Sequence, residues 1–426
     1  MEKMKEHLPE KKKDTLIINY DVMLAGGVET HFASLMKACI AKGYRVIWIT
    51  SELFLKQVAF DGLVDNPGLE IIVTRSRLHF LDIPKISLAE DERVIMFTCE
   101  PLAYMVSEKI RMEAGTKKFL HYLAVPHFTG KSVFPDRYPK SKPMQKLIYH
   151  YLRRILGRTA ASNCILGFAP KHLETYESYY QIPLAEKTKQ VIPGYDMVFS
   201  SFDKENTKAR CVERNEKFVI TSCSRFEFPH KAYLLGLVDA FAKVKEKYPQ
   251  VVLQLVGYGS GQQELENMIM ALPESVRSDI HMLGMLSPEA LEQCYKNSQL
   301  VVGLAGAVIT GARCGIPSLI ARHYNYDCET YGFFGDVPEK TLCEEEGMDI
   351  VPFIEDCINM DMETYLQHVE RAARVMEQHR NTEIPSLEDR FASTEKTCPK
   401  FVRNSLEMLI AKVLYVVCCV LRRKER

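Results

Sequence analysis

The residues best suited to chemistry are Arg225 and Lys231, in the stretch CSRFEFPHK at residues 223–231. The apolar run at residues 218–222 reads as a buried strand, so both cations fall in the loop beyond its carboxyl end. Ligands of open α/β sheets bind at that edge. Arginine offers phosphate oxygens a planar fork, and lysine offers a mobile point charge. Together they suit a diphosphate, and stabilising a departing charge is often the largest catalytic effect. Taken alone, the loop also reads as two solvated cations. Two more elements follow. VGYGSG (residues 256–261) closes a second strand, and Gly257, Gly259 and Gly261 would let backbone approach a ligand and open a helix whose N-terminus favours anions. GARCGIPSLIA (residues 311–321) reads as a short helix ended at Gly315, a Pro317 that cannot extend it, and another buried strand. Each of these also reads as an ordinary tight turn.

The elements that position these groups form two series. In the first, a buried run at residues 16–19 leads to the turn at Gly26 and Gly27, a helical pattern carrying Phe32, Leu35, Met36 and Cys39, a stop at Gly43 and a second run at 44–50. That is a βαβ unit of a parallel sheet, and similar runs recur at 94–97, 118–125 and 164–168. Residues 204–217 are polar without periodicity and read as a linker. The second series has strands at 218–222, 251–256, 280–283, 300–304 and 318–321, with helices at 233–247, 261–270 and 288–297 between them. A chain of 426 residues accommodates two such cores. The expected fold class is α/β, with two doubly wound Rossmann-like domains facing across a cleft. They would occupy 1–203 and 218–395, with 396–426 a terminal amphipathic, apolar helix.

Composition narrows the function. The net charge is zero, so no global field draws the chain to nucleic acid. Thirteen cysteines without a C-x-x-C pair argue against a disulfide framework or structural zinc and for a reducing, cytoplasmic setting. The charged N-terminus lacks the apolar core of a secretion signal. No metal signal stands out; Asp361 and Glu363 read as a helix start. Residues 137–171 are rich in Lys and Arg and contain no acid, while Leu147, Ile148, Leu152, Ile155 and Leu156 recur at helical spacing. This reads either as a basic helix lying on an anionic membrane or as a core helix with a basic outer face. The tail at 406–426 is apolar, interrupted by Glu407 and Lys412, and ends in a basic cluster. It is short for a span and reads as an interfacial helix or one packed on the body.

In order and spacing, these motifs resemble the GT-B-fold glycosyltransferases, and among them the family-4 retaining enzymes (glycosyl transferases group 1), over nearly the whole chain. AGGVETH (25–31) resembles the family's N-terminal Gly-Gly loop, and VIPGYDMVF (191–199) its crossover from the first, acceptor-side domain. SRFEFPHK resembles its phosphate grip, with Ala232 where glycine is usual. HMLGMLSPEALEQCY (281–295) resembles the stretch whose backbone, near Gly284 here, holds the base; CGIP resembles the closing turn of the donor site. The resemblance implies transfer of a sugar from a nucleoside-diphosphate sugar, UDP-sugar favoured, with retention, and without metal or further cofactor. Arg225 and Lys231 would hold the leaving diphosphate. His127, at the end of LHYLAVPH (120–127), would lie near the transferred sugar, with His121 the weaker candidate; either also reads as a histidine satisfied by the fold. Gly26, Gly27, Gly257, Gly259, Gly284 and Thr310 would line the donor site. The family also carries two glutamates eight positions apart, and aligning on Cys314 and Pro317 puts Val302 and Thr310 there. Thr310 can still bond a ribose hydroxyl; Val302 cannot replace a carboxylate, and position alone offers Glu329 or Asp327 as a candidate substitute. The basic and apolar patches add a glycan or lipid-linked acceptor on the inner membrane face, in cell-surface polysaccharide synthesis. The alternatives are a non-catalytic GT-B binding subunit, favoured by the missing glutamates, and, further off, a sugar-nucleotide epimerase.

Overall fold

The computed structural model describes residues 14–20, 27–51, 62–74, 81–83, 85–126, 142–187, 190–192, 203–213, 216–342, 345–380, 386–394 and 400–424. The chain divides into two compact units, 1–197 with 382–426, and 198–381.

The first unit is built on β1 (Asp14–Asn19), α1 (Gly27–Ala41), β2 (Arg45–Ser51), β3 (Leu69–Thr74), β4 (Arg93–Thr98), α2 (Pro101–Glu113), β5 (Phe119–Val125), α3 (Lys142–Ala161), β6 (Ile165–Gly167) and α4 (Pro170–Tyr180). Its sheet has the order β3-β2-β1-β4-β5-β6 with every pair parallel. Strands covered on both faces are continuous apolar runs. Leu16, Ile17 and Ile18 of β1 and Val46 to Ile49 of β2 accordingly have no exposed surface. The left-handed backbone that ends α1 falls on Gly43, at φ 77°.

The second unit comprises α5 (Lys204–Glu213), β7 (Phe218–Cys223), α6 (Tyr233–Lys247), β8 (Val251–Val256), α7 (Gln262–Met270), α8 (Glu274–Arg277), β9 (Ile280–Gly284), α9 (Pro288–Lys296), β10 (Leu300–Gly303), α10 (Gly306–Arg313), β11 (Ser318–Ala321), β12 (Glu329–Phe333), β13 (Met348–Asp349), α11 (Ile350–Asn359) and α12 (Met362–Arg380). Its sheet order is β13-β12-β11-β10-β7-β8-β9. The core from β11 to β9 is parallel; β12 and β13 add an antiparallel edge. From β7 the chain winds outward to β8 and β9, then returns to lay β10 on the other side of β7. The β7/β10 boundary is therefore the topological switch point, and its carboxyl edge is where a ligand belongs. Asp361 begins α12 as a cap, its carboxylate accepting the Thr364 amide at 2.7 Å.

Two expectations change and one open reading is settled. The stretch taken as a linker is α5, which docks by polar bonds rather than by an apolar stripe. The buried Arg210 guanidinium donates to the carbonyls of Gly315 (2.8 Å) and Cys314 (3.2 Å) and to the Thr207 hydroxyl (2.9 Å). That kind of docking leaves no hydrophobic period to read. The second unit also does not run to 395, because α13 (Leu387–Ser393) and α14 (Ser405–Lys424) belong to the first. Arg390 of α13 donates to the Val191 carbonyl (3.0 Å), and Phe401 lies 5.7 Å from Tyr104 of α2. Finally, α3 is a core helix. Of the two readings left open for it, the core helix with a basic outer face holds: Ile148, Leu152, Ile155 and Leu156 are fully buried in the core, while Leu147 of the same stripe stays 58% exposed.

Candidate donor site

Beyond β7 the chain turns through Ser224 to Lys231, and this loop is locked to the turn after β8. Ser224 donates its amide to the Val256 carbonyl (2.9 Å), Phe226 to Tyr258 (2.9 Å), and Gly261 to Phe226 (2.7 Å). The glycines of VGYGSG make that contact possible. A Cβ on Gly257, at φ 139°, would stand 1.8 Å from the Ser224 carbonyl oxygen; one on Gly259 would stand 2.4 Å from that of Phe226. The sequence reading gave these glycines to ligand approach. Their backbone instead approaches the cation loop, and their service to a ligand is to hold that loop still. Gly257→Ala is therefore expected to cost about 2 kcal/mol, the range for a side chain forced into a glycine-only conformation. Chemical unfolding of the second unit checks this.

The loop brings two cations together. The Arg225 side chain is 27% exposed and stands 3.6 Å from the Glu227 carboxylate. Lys231 has no ion-pair partner among the described residues. Its burial, and next the positive charge of Arg225, push its pKa down to about 8. His230, between them in the chain, is pushed to about 3 by burial, then by Lys231, His323 and Arg225, and so stays neutral. Its ring lies 5.0 Å from that of Tyr324, whose amide donates to the His230 carbonyl at 3.2 Å. A site that buries cations beside one another, and so lowers their pKa values, is one an anion relieves.

Across the switch point, β10 passes into α10 through Leu304 and Ala305 alone. Ala305 adopts φ 44°, and no side chain caps the helix, so α10 starts at the same sheet edge as the cations, with the Ala307 amide donated to the Leu304 carbonyl (3.1 Å). Sequence reasoning missed this helix start and His230; the Gly303–Gly306 bracket was the available signal for the first. The short connection also settles the placement of Val302. It lies within β10 and is fully buried in the core, so no residue type there would reach a ligand. The segment that would carry a carboxylate is too short to do so. Thr310, on the second turn of α10, donates its hydroxyl to the Gly306 carbonyl (2.8 Å) and keeps its oxygen as an acceptor.

Two proposed substitutes fare differently. The Glu329 carboxylate accepts from Arg322 (2.6 Å) and from the Gly347 amide (2.8 Å), which commits it to bracing β12 rather than meeting a sugar. Asp327 is exposed, and its backbone rests on α6, where a Cβ on Gly236 would meet the Tyr326 carbonyl at 2.3 Å. Gly284 ends β9 at φ 64°, and its carbonyl accepts the Gly257 amide (2.8 Å). Of the apolar groups beside it, Leu283 is 37% and Met285 52% exposed.

In the first unit, Gly27 opens α1, with open space around its Cβ direction. Gly26 and His127 lie outside the described residues. His121 is structural. It is wholly buried in β5, with Nδ1 2.7 Å from the Glu108 carboxylate and Nε2 3.0 Å from the Thr98 hydroxyl.

Residues 203–325, from α5 to the segment after β11, match the family model for glycosyl transferases group 1. Solved structures of the same fold match over 90–94% of the chain. The chain has the GT-B fold. Anabaena HepE, solved with UDP and glucose, matches with a TM-score of 0.55 at 15% identity, covering 90% of this chain and 99% of its own. A Rickettsia africae glycosyltransferase matches at 0.53 and 13%, covering 92% and 100%. The N-terminal domain of Candida albicans trehalose-6-phosphate phosphatase matches at 0.52 and 9%, covering 94% and 99%. At such identities the likeness is one of fold alone. No curated protein matches the chain. The GT-B assignment and the two Rossmann-like sheets agree with the sequence reading.

Proposed function

We propose that this GT-B chain is a glycosyltransferase that takes its sugar from a nucleoside-diphosphate sugar held at the β7/β10 switch point. One observation carries the reading: Arg225 and the buried Lys231 share the loop at that edge and feel each other's charge, and the neighbouring parallel strand β10 leads into a helix that no side chain caps. The guanidinium and the ammonium would neutralise the leaving diphosphate without calling on a metal, while the α10 amides take a terminal phosphate. Thr310 would accept a ribose hydroxyl, and the Met285 region would cover the base. The UDP in the HepE structure makes a UDP-sugar the first donor to test. Retention and a lipid-linked or glycan acceptor on the inner membrane face, in cell-surface polysaccharide assembly, complete the proposal; they rest on the motif resemblance and the basic, apolar surface of the first unit.

A second reading, a nucleotide-binding GT-B subunit without turnover, is favoured by the two-residue β10–α10 connection, which leaves no place for a sugar-facing carboxylate. Thermal unfolding with UDP, GDP, ADP and CMP, followed by assay of the matching sugar donors, separates the cases. A nucleotide at a hundred times its Kd adds about 2.7 kcal/mol to the unit that binds it. For about 200 residues that is a rise of roughly 5 to 10 °C. A shift with one diphosphate and turnover of its sugar supports the transferase. A shift without turnover of any donor supports the binding subunit. No shift with any nucleotide removes both.

A further inference from the structure

The tail helix α14 buries one side and leaves another apolar. Met408, Ala411, Leu414 and Tyr415 enter the core of the first unit. Leu406, Leu409, Ile410 and Val413 are 65%, 57%, 39% and 52% exposed. Their i, i+3, i+4, i+7 spacing makes one continuous stripe. A contiguous apolar stripe marks an interaction surface in a way that scattered exposed leucines do not. Glu407 and Lys412 interrupt the apolar run of the helix, and among the described residues no helix is long and apolar enough to cross a membrane.

The surroundings are cationic. Beside the start of α14 runs α3, which carries Lys146, Arg153, Arg154 and Arg158 and no acid. The acid at the junction, Glu407, is neutralised inside the fold. Its carboxylate accepts from Arg154 (2.9 Å), Arg158 (3.2 Å) and the Arg403 amide (2.8 Å). Arg154 still has 69% of its side chain exposed. On α2, Glu113 is paired with Lys109 at 3.9 Å. The helix itself ends in Arg422, Arg423 and Lys424. Since the whole chain is neutral, this surplus is local.

We infer that this face of the first unit docks on an anionic lipid bilayer, the α14 stripe entering below the headgroups and the α3 cations meeting lipid phosphates. An apolar helix face flanked by lysine and arginine is what interfacial binding requires. A second copy of the chain fits less well, because two basic rims would face each other. Four side chains also expose only a few hundred Å², against roughly 800 Å² per partner in a standard protein interface. The inference deepens the membrane-face part of the proposed function by naming the surface that docks, and vesicle binding can fail while the nucleotide response stands.

The test is flotation of the full chain with vesicles of equal phosphatidylglycerol and phosphatidylcholine, and with phosphatidylcholine alone. Wild type should bind the anionic vesicles at least tenfold more strongly than the neutral ones. Leu409→Glu with Val413→Glu, both on the outer face, should lose at least tenfold on anionic vesicles while keeping any UDP-dependent melting shift of the wild type. Leu409→Ser with Val413→Ser serves if the glutamate pair unfolds. Equal binding by variant and wild type, equal binding to neutral vesicles, or no vesicle binding overturns the inference. So does a dimer in light scattering that the variant dissolves without any vesicle binding, which would assign the face to a second copy.

Discussion

Replacing Arg225 and Lys231 together by alanine should abolish the rise in melting temperature that a nucleoside diphosphate gives the wild-type chain. Hydrogen bonds to charged groups contribute about 1.5–3 kcal/mol each. Losing one from each cation weakens binding by about 3–6 kcal/mol, or roughly 10²- to 10⁴-fold. At a nucleotide concentration a hundred times the wild-type Kd, the double variant would show at most a residual shift. The apo protein should lose little stability, since the substitutions remove a lysine whose burial, and next the charge of Arg225, hold its pKa down to about 8. This separates lost binding from lost folding. A pH series adds an independent reading. With its pKa depressed, Lys231 is less protonated in the folded chain than in the unfolded chain between pH 8 and its ordinary value. Without ligand it therefore makes the fold gain stability as pH rises through that window. A bound diphosphate reverses the sign by drawing the proton back. Nucleotide affinity should fall as pH climbs above 8, by up to about tenfold per unit, with proton uptake visible by calorimetry in buffers of different ionisation enthalpy. Lys231→Arg should flatten the profile, because arginine stays charged. A double variant that keeps the full UDP shift would remove the proposed grip.

The parts legible in the sequence share a cause. Parallel strands buried on both faces write continuous apolar runs, so β7, β8 and β11 could be read nearly to the residue, and α6 (Tyr233–Lys247) followed from its own stripe. Where packing is polar or long-range, the signal vanishes. Arg210 holds α5 through carbonyls about a hundred residues away, and nothing in a helical period reports that. The donor-site glycines show the limit from another side. Their spacing could be read, but whether they open space for a ligand or for the neighbouring loop depends on what lies beyond the Cβ direction, here Ser224 and Phe226. The ungapped placement of Val302 beside Thr310 failed for a similar reason. Counting positions cannot show that a strand runs straight into a helix, although the apolar run ending at Leu304 was a hint.

The largest stability effect is expected in the first unit, at Glu108. Its carboxylate is fully buried, 2.7 Å from His121 Nδ1 through one oxygen and 2.9 and 2.6 Å from Arg111 Nε and Nη2 through the other. Burial alone would raise its pKa, but the contacts with His121 and Arg111 outweigh that and bring it below the ordinary value, so it is ionised. For His121, burial lowers the pKa more than Glu108 raises it, which makes the ring neutral; its Nδ1 proton goes to Glu108 and Nε2 accepts from Thr98. The cluster is thus a single ion pair braced by a neutral imidazole. Glu108→Gln keeps the shape and removes the charge, leaving Arg111 buried without its counter-ion. Breaking one partner of a buried pair costs about 3–5 kcal/mol. At roughly 2–4 °C per kcal/mol for a unit of this size, the melting transition of the first unit should fall by about 6–20 °C. Removing the pair altogether, Glu108→Gln with Arg111→Met, should recover much of the loss, because buried pairs replaced by apolar groups are often close to neutral. The cluster also fixes the acid response. His121 stays neutral in the fold while the unfolded chain takes up its proton below pH 6.5, so stability declines as pH falls through that value, and it declines further from the ordinary carboxylate value of 4.5 down to the lowered pKa of Glu108, as the unfolded chain takes up that proton first. The second unit should keep its nucleotide response in the Glu108→Gln protein at temperatures below the lowered transition. A double variant no more stable than Glu108→Gln would show that the loss comes from packing around residue 108 rather than from the stranded arginine.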